Sequence, residues 1–376
     1  MKVVQAYQQN NTWSYTKPKL KLKNPLVLVF AERTLLEKKD VLKNIREEFP
    51  YENIVFSSTA GEIIGSQVLE NSITVTAIEF EKSSFIIKKA NLFDFGEDSY
   101  SIGKDLIQQL DLEDLKHIFV ISEGSFVNGS RLIEGIESKL PGEVKITGGI
   151  CGDNDKFEKT LVSFQTDPAE GEIIIIGFYG ESLEFSYASV GGWVPFGPER
   201  IITKSEGNTL YEIDGIPALE IYSKYLGDKA LELPQSALLF PLNVQASGKT
   251  QPVVRTILHI NQEEKSMTFA GDVPENSRTQ LMMASVDAII EGAVDAAKIA
   301  MANRKKTPQI AFLVSCIGRK MVMDQRTEEE VEEVLEIIGE NSVAAGFYSY
   351  GEMAPFNQGG DCELHNQTMT LTLISE

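Results

Sequence analysis

Three short words in the sequence set a glycine beside a carboxylate: Gly61-Glu62, Gly152-Asp153 and Gly351-Glu352. Glycine tolerates positive φ and lets a ligand approach the backbone, and the acid beside it offers a charged hydrogen-bond acceptor. A fourth word, Ser315-Cys316-Ile317-Gly318-Arg319, ends in the opposite charge, a guanidinium able to fork onto a carboxylate. If Arg319 and Glu352 face one cleft, they present a cation and an anion together, which suits a zwitterion such as an amino acid; they could equally satisfy each other. Turn chemistry alone also favours glycine and an acid at such places, so recurrence supports a duplicated fold as strongly as it supports a site.

Other chemistries fail on their own patterns. Asn243 to Thr250 ends in Gly-Lys-Thr like a phosphate loop, but Asn243 stands where backbone clearance requires glycine. Tyr348-Ser349-Tyr350-Gly351 resembles a nucleophile elbow, but the glycine expected two residues before the serine is Phe347. The three histidines, His117, His259 and His365, are far apart in sequence, and Cys151, Cys316 and Cys362 include no closely spaced pair, so a zinc site is not expected. Three cysteines are also too few and odd in number for a disulfide framework.

The elements that must position the Gly-acid words repeat. Leu26 to Phe30 is an apolar run, followed by Thr34-Leu-Leu-Glu37 as a capping box, a helical stripe of Val41, Leu42, Ile45 and Phe49, a second run at Ile54 to Phe56, and the turn into Gly61. The order recurs from Ile118 to Ile121, through a stripe of Leu132, Ile133, Ile136 and Leu140, to Val144–Thr147 and Gly152. It recurs again from Ile310 to Val314, through a capping box at Thr327-Glu-Glu-Glu330 and a stripe of Val331, Val334, Leu335 and Ile338, to Gly351. From first strand residue to last glycine the spacings are 35, 34 and 41 residues, close enough to mark one unit used three times. Further strands follow each turn. Long crossovers favour parallel pairing and short links antiparallel pairing, which predicts an α/β fold with α+β character built of mixed sheets flanked by helices. The turns then lie beyond the carboxyl ends of parallel strands, where open sheets bind ligands.

Gly191-Gly-Trp-Val-Pro-Phe-Gly-Pro198 reads as a boundary between two related halves, 25–188 and 189–376, after an N-terminal extension of 1–24. Beyond it a helix over Tyr211 to Leu226, strands near Leu238 to Phe240 and Val253 to Ile260, and a long helix from about Leu281 to Asn303 are expected. Trp193, in a loop that buries little, is expected to cap the cleft between the halves, and Tyr350 stands within the last turn. With 55 acidic and 35 basic side chains the net charge is −20, which argues against nucleic acid or an anionic membrane as a partner. No signal segment or membrane span is evident, so a soluble cytoplasmic protein is expected.

Several of these words in this order resemble the FIST family, in paired N-terminal and C-terminal domains. The carrying segments are Ser58-Thr-Ala-Gly-Glu62, Gly148-Gly149-Ile-Cys-Gly-Asp153, Gly192-Trp193, Ile213 to Leu219, Val254-Arg-Thr-Ile257, Phe269-Ala-Gly271, Ser315 to Arg319, Gly346 to Glu352 and His365-Asn366-Gln-Thr368. The resemblance covers about Pro25 to the C-terminus. It implies a non-catalytic small-molecule sensor in bacterial signal transduction, with an amino acid or related metabolite as ligand. The expected ligand contacts are Gly61, Glu62, Gly149, Gly152, Asp153, Trp193, Arg319, Tyr350, Gly351, Glu352 and Asn366. No cofactor is expected. Some relatives look like haem proteins that sense nitric oxide, which would require His365, His259 or Cys316 as axial ligand. An enzyme is a third reading, although no nucleophile has a base beside it in sequence. Output is expected to pass to a separate signalling protein, such as a histidine kinase, diguanylate cyclase or chemoreceptor.

Overall fold

The continuous apolar runs form strands buried along their length, as a sheet covered on both faces requires: Leu26–Ala31, Leu115–Ser122 with only Lys116 partly exposed, and Ile310–Cys316. This is a computed structural model, and it describes residues 1–233, 235–249 and 251–376. Thr250, the last residue of the phosphate-loop-like segment, lies outside the described residues.

Each of these three strands pairs parallel with the strand that follows its helix: Ile54–Ser58, Lys145–Ile150 and Val343–Ser349. Each also pairs antiparallel with the last strand of its unit: Ile73–Glu79, Glu172–Tyr179 and Met369–Ser375. A leading strand completes each unit beyond that last strand: Lys2–Gln9, Ser84–Asn91 and Glu184–Val190. The chain therefore contains three units, and its first residues are part of the first sheet. The expected extension over 1–24 and the expected boundary at 188/189 do not hold. Lys2–Gln9 pairs with Ile73–Glu79 from Lys2↔Glu79 to Gln8↔Ile73, and Glu184–Val190 is the edge strand of the third unit.

The units interlock by exchanging strands. Glu62–Ile64 of the first pairs with Val343–Ser349 of the third, Gly351–Pro355 of the third with Lys145–Ile150 of the second, and Val162–Phe164 of the second with Ile54–Ser58 of the first. Three exchanges in one direction close a ring. The sheets' inner faces meet in a central core that includes Phe30, Phe119, Phe178, Phe312 and Phe347. Phe30 and Phe347 have ring centroids 4.8 Å apart, and Phe119 and Phe312 4.9 Å. Helices cover the outer faces, among them Lys39–Glu48, Gly129–Glu137, Val286–Met301 and Thr327–Ile338.

An antiparallel domain is inserted into the third unit, between its leading strand and the helix Val286–Met301. Its strands are Val194–Glu206, Thr209–Ile213, Leu242–Gln245, Val253–Arg255, Ile257–Asn261, Ser266–Phe269 and Arg278–Met283. The helix Ala218–Leu226 closes its core over Leu210, Tyr222 and Phe269. The helix expected from Tyr211 starts seven residues later, because Thr209–Ile213 pairs as a strand with Val194–Glu206. Leu238 lies in a 3₁₀ turn instead of a strand. The long helix begins at Val286, where the Ser285 side chain accepts from Ala288 N at 3.2 Å, and Leu281 belongs to the strand Arg278–Met283. Neither expected capping box forms. Glu32 caps the short helix Arg33–Leu36, and Glu330 turns away from its own helix end into the core.

Candidate functional site

The closed ring brings the three turns into direct contact. Ala60 N donates to Tyr348 O at 2.9 Å and Tyr348 N to Gly61 O at 2.8 Å; Gly152 N donates to Ser58 O at 3.2 Å; Tyr350 N donates to Ile150 O at 3.0 Å. Gly61 holds φ at +137°, and a Cβ there would meet Lys320 Nζ at 3.1 Å and the Tyr348 ring at 3.2 Å. Gly149 pairs opposite Glu352, and a Cβ on it would come within 2.6 Å of Val314 Cγ1. These glycines are needed for the units to approach one another. Gly152 fits between Ala60 and Tyr350, and Gly351 packs on Ile150 and Leu364.

The acids beside the glycines are fully buried. Glu62 accepts from Thr59 Oγ1 and Ser72 Oγ, both at 2.5 Å, and Glu352 accepts from Ser349 Oγ at 2.6 Å and Thr368 Oγ1 at 3.0 Å. Each clamps its turn to the start of its unit's last strand. Burial pushes both carboxyls up to about 8, against the pull of those hydrogen bonds. Asp153 accepts from the Tyr350 hydroxyl, from Glu158 N at 3.2 Å and from Lys159 N at 3.0 Å, and Arg33 Nε stands 3.4 Å from it. Tyr350 OH also lies 2.9 Å from Asn154 O, and its ring stacks on Phe157 at 4.5 Å. These contacts fix the loop 154–159 over the turns.

Arg319 and Glu352 do not share a cleft. Arg319 is fully buried and forks onto Glu330 Oε2 through Nε at 3.0 Å and Nη2 at 2.7 Å. Its remaining donors go to Gly191 O, and to Ile289 O at 2.8 Å. Gly191 and Ile289 flank the inserted domain in sequence, so Arg319 pins the entry and the exit of that domain to the third unit. Trp193 does not cap a cleft either. It is 7% exposed and packs on Met282, Ile289, Ile290 and Met323 at the root of the insertion. Asn366 is buried, accepts from Thr256 N at 3.3 Å and so holds the insertion from a second point.

Open space lies directly over the ring of turns. A cleft of about 530 Å³ is lined from the first unit by Glu70 and Asn71, from the second by Asn154, Asp155 and Lys156, and from the third by Ile317, Lys320, Met321, Asp324 and Glu328. Lys320 joins cleft and ring: its ammonium donates to Ala60 O at 2.8 Å, pairs with Glu70 at 2.5 Å and lies 5.9 Å from the Tyr348 ring centroid. Lys156 pairs with Glu32 at 3.2 Å. Asp155 and Asp324 are exposed and have no side-chain partner among the described residues. Sequence reasoning stopped one residue short of Lys320. It also passed over Asn71 and Asn154, whose positive φ of 49° and 60° marks the two turns that open onto the cleft.

The residues that would have to hold a haem do not fit one. His365 is buried with Nε2 bonded to Ala354 O at 2.8 Å and its ring against Phe356, and burial pulls it down to about 4. Cys316 is buried with its thiol pushed up, His259 is exposed on a strand of the inserted sheet, and none of the three lines the cleft. Among the described residues no group of His, Cys, Asp or Glu is placed to hold a metal ion. No described helix is long and apolar enough to cross a membrane.

Fold and site together define a ring of three interlocked α/β units that opens a mixed-charge cleft where its turns meet. The family models for the FIST N domain and the FIST C domain match residues 25–216 and 218–355, and the chain belongs to the FIST family. FIST domains are signalling sensor domains. The boundary between the two family domains, near residue 217, falls inside the inserted sheet, so sequence domains and physical units do not coincide. The chain is similar to an uncharacterised protein of Methanocaldococcus jannaschii, 23% identical over 86% of this chain and 69% of the relative. Among solved structures it matches a chorismatase with 8% identity and a TM-score of 0.35, over 100% of this chain and 98% of the other. It matches a cyanuric acid hydrolase from A. caulinodans with 9% identity and a TM-score of 0.33, over 94% and 90%.

Proposed function

We propose that the protein is a non-catalytic sensor that binds a small zwitterionic metabolite, an amino acid or a close relative, in the cleft over the three turns. The observation that carries this reading is the convergence of all three units on one cleft of mixed charge. Lys156 and Lys320 offer cations that can exchange Glu32 and Glu70 for a ligand carboxylate, and the unpartnered Asp155 and Asp324 can take its ammonium. Ile317 and Met321 supply apolar surface for a side chain. Chemistry is disfavoured because the three thiols are buried, and burial pushes that of Cys151 up to about 12. A ligand that touches three units tightens their ring, and a separate signalling protein such as a kinase, cyclase or chemoreceptor reads the change.

The test is thermal unfolding with each standard amino acid. A ligand at about 100 times its dissociation constant adds roughly 2.7 kcal/mol of stability. Lys320→Ala, which removes one charge-assisted contact, weakens that ligand about tenfold or more. If no amino acid raises the melting temperature, or if Lys320→Ala responds as the wild type does, this reading fails.

A further inference from the structure

Among the described residues two arginines outside the cleft are buried to 4% exposure or less, and one of them has a carboxylate in contact. Arg319 has Glu330. Arg255, 4% exposed on the inserted strand Val253–Arg255, has no carboxylate within ion-pairing distance among the described residues. Its Nε donates to Asp272 O at 3.0 Å and its Nη1 to Leu364 O at 2.6 Å, and Nη2 makes no hydrogen bond to the described residues. The guanidinium lies flat on Gly271, where an added Cβ would stand 3.0 Å from its Cζ, so the close approach holds it in one orientation. Burial pulls Arg255 down to about 10, which leaves it charged at neutral pH. Glu363 and Asp272 act on it from beyond ion-pairing distance, and a buried cation with no carboxylate in contact is costly, which a role in receiving an anion accounts for.

Arg255 lines a cavity of about 180 Å³ between the inserted domain, the helix Gly129–Glu137 and the hairpin strand Cys362–His365. A buried unsatisfied group lies in a residue lining the same cavity: Ser130 Oγ has no hydrogen-bond partner among the described residues. Glu137 lines the same space, as do Glu134, Asp272 and Glu363; it accepts from Cys362 N at 3.0 Å, and its carboxyl is pushed up by burial. The other basic group at the rim, Lys249, is already paired with Glu363 at 2.5 Å.

We infer that this cavity is a second ligand site, separate from the three-turn cleft, which takes a small carboxylate bearing a hydrogen-bond donor on the neighbouring carbon. The carboxylate completes the Arg255 fork and accepts from Ser130, and the donor at the other end meets Glu137. Because the cavity joins the inserted domain to the ring, its occupant fixes one against the other.

The probes are glycolate and lactate, with acetate lacking the donor and glycolamide lacking the charge. Backbone amide NMR shifts of the full chain are followed as each is titrated to millimolar concentration. Glycolate or lactate is expected to bind saturably, with shifts centred on Ser130, Arg255 and Leu364 and not on Asn71, Lys156 and Lys320. Ser130→Ala, which needs no repacking, should weaken binding about fivefold, and Arg255→Lys about tenfold or more, while Lys320→Ala leaves it unchanged. The site does not exist if no probe saturates, if glycolamide binds as well as glycolate, or if Ser130→Ala and Arg255→Lys both bind as the wild type does.

Discussion

Arg319→Ala is expected to lose about 3–5 kcal/mol of folding stability, because it strands the Glu330 carboxylate in the core. Glu330 also accepts from Ser315 Oγ at 2.8 Å and Tyr348 OH at 2.7 Å, so the pair is the hub of a network and not an isolated bridge. Removing the guanidinium also frees the carbonyls of Gly191 and Ile289, the two ends of the inserted domain. Glu330→Ala should cost a similar amount by stranding the cation. The double variant should cost clearly less than the two single losses together, since neither buried charge is then left alone. Urea unfolding of the four proteins measures this. Stability of Arg319→Ala within about 0.5 kcal/mol of wild type, the usual range for a surface change, would show that the guanidinium is not held as described.

Between about pH 6.5 and pH 8 the protein should become less stable by as much as ~4 kcal/mol. The folded Glu62 and Glu352 keep their protons up to about 8, whereas the unfolded chain releases them near 4.5. Each group therefore favours the folded state at low pH and loses that contribution as pH rises to about 8. His117 and His365 act in the opposite sense, since burial pulls them down to about 3 and 4 while the unfolded chain takes up protons below 6.5. From about 4.5 to 6.5 the two pairs offset one another and stability is level. Above 6.5 the histidines are neutral in both states and only the carboxyls count, at about 1.4 kcal/mol per proton per pH unit. Glu62→Gln with Glu352→Gln should remove most of the decline, Glu137, which burial also pushes up, keeping its own share. Urea midpoints at pH 6.5 and 8 that coincide in the wild type, or that differ as much in the double variant as in the wild type, would contradict the buried acids.

The repeated unit was legible because a strand covered on both faces must be apolar throughout, and three such runs at similar spacing mark one unit used three times. The ring was not legible. Its closure depends on short antiparallel exchanges such as Gly149↔Glu352 and Ala345↔Ile64, and no local pattern announces which edge a three-residue strand will join. For the same reason Lys2–Gln9 passed for an extension and Glu184–Val190 for the end of the first half. Arg319 was found but misassigned. Its partner Glu330 lies eleven residues on, inside what looks like a capping box, and the burial that joins them is tertiary. The Gly-acid turns are where the units meet, which their recurrence did not announce; their acids act as clamps, and the groups that open outward are Asn71, Asn154 and Lys320.

The central claim is that one ligand touches all three units at once. Hydrogen–deuterium exchange of the full chain, with and without whichever amino acid gives the largest thermal shift, tests it most directly. The account predicts slower exchange in 68–71, 154–156 and 317–328 together, three segments far apart in sequence that line one cleft. Protection confined to one of these segments, or appearing elsewhere in the chain, would contradict it.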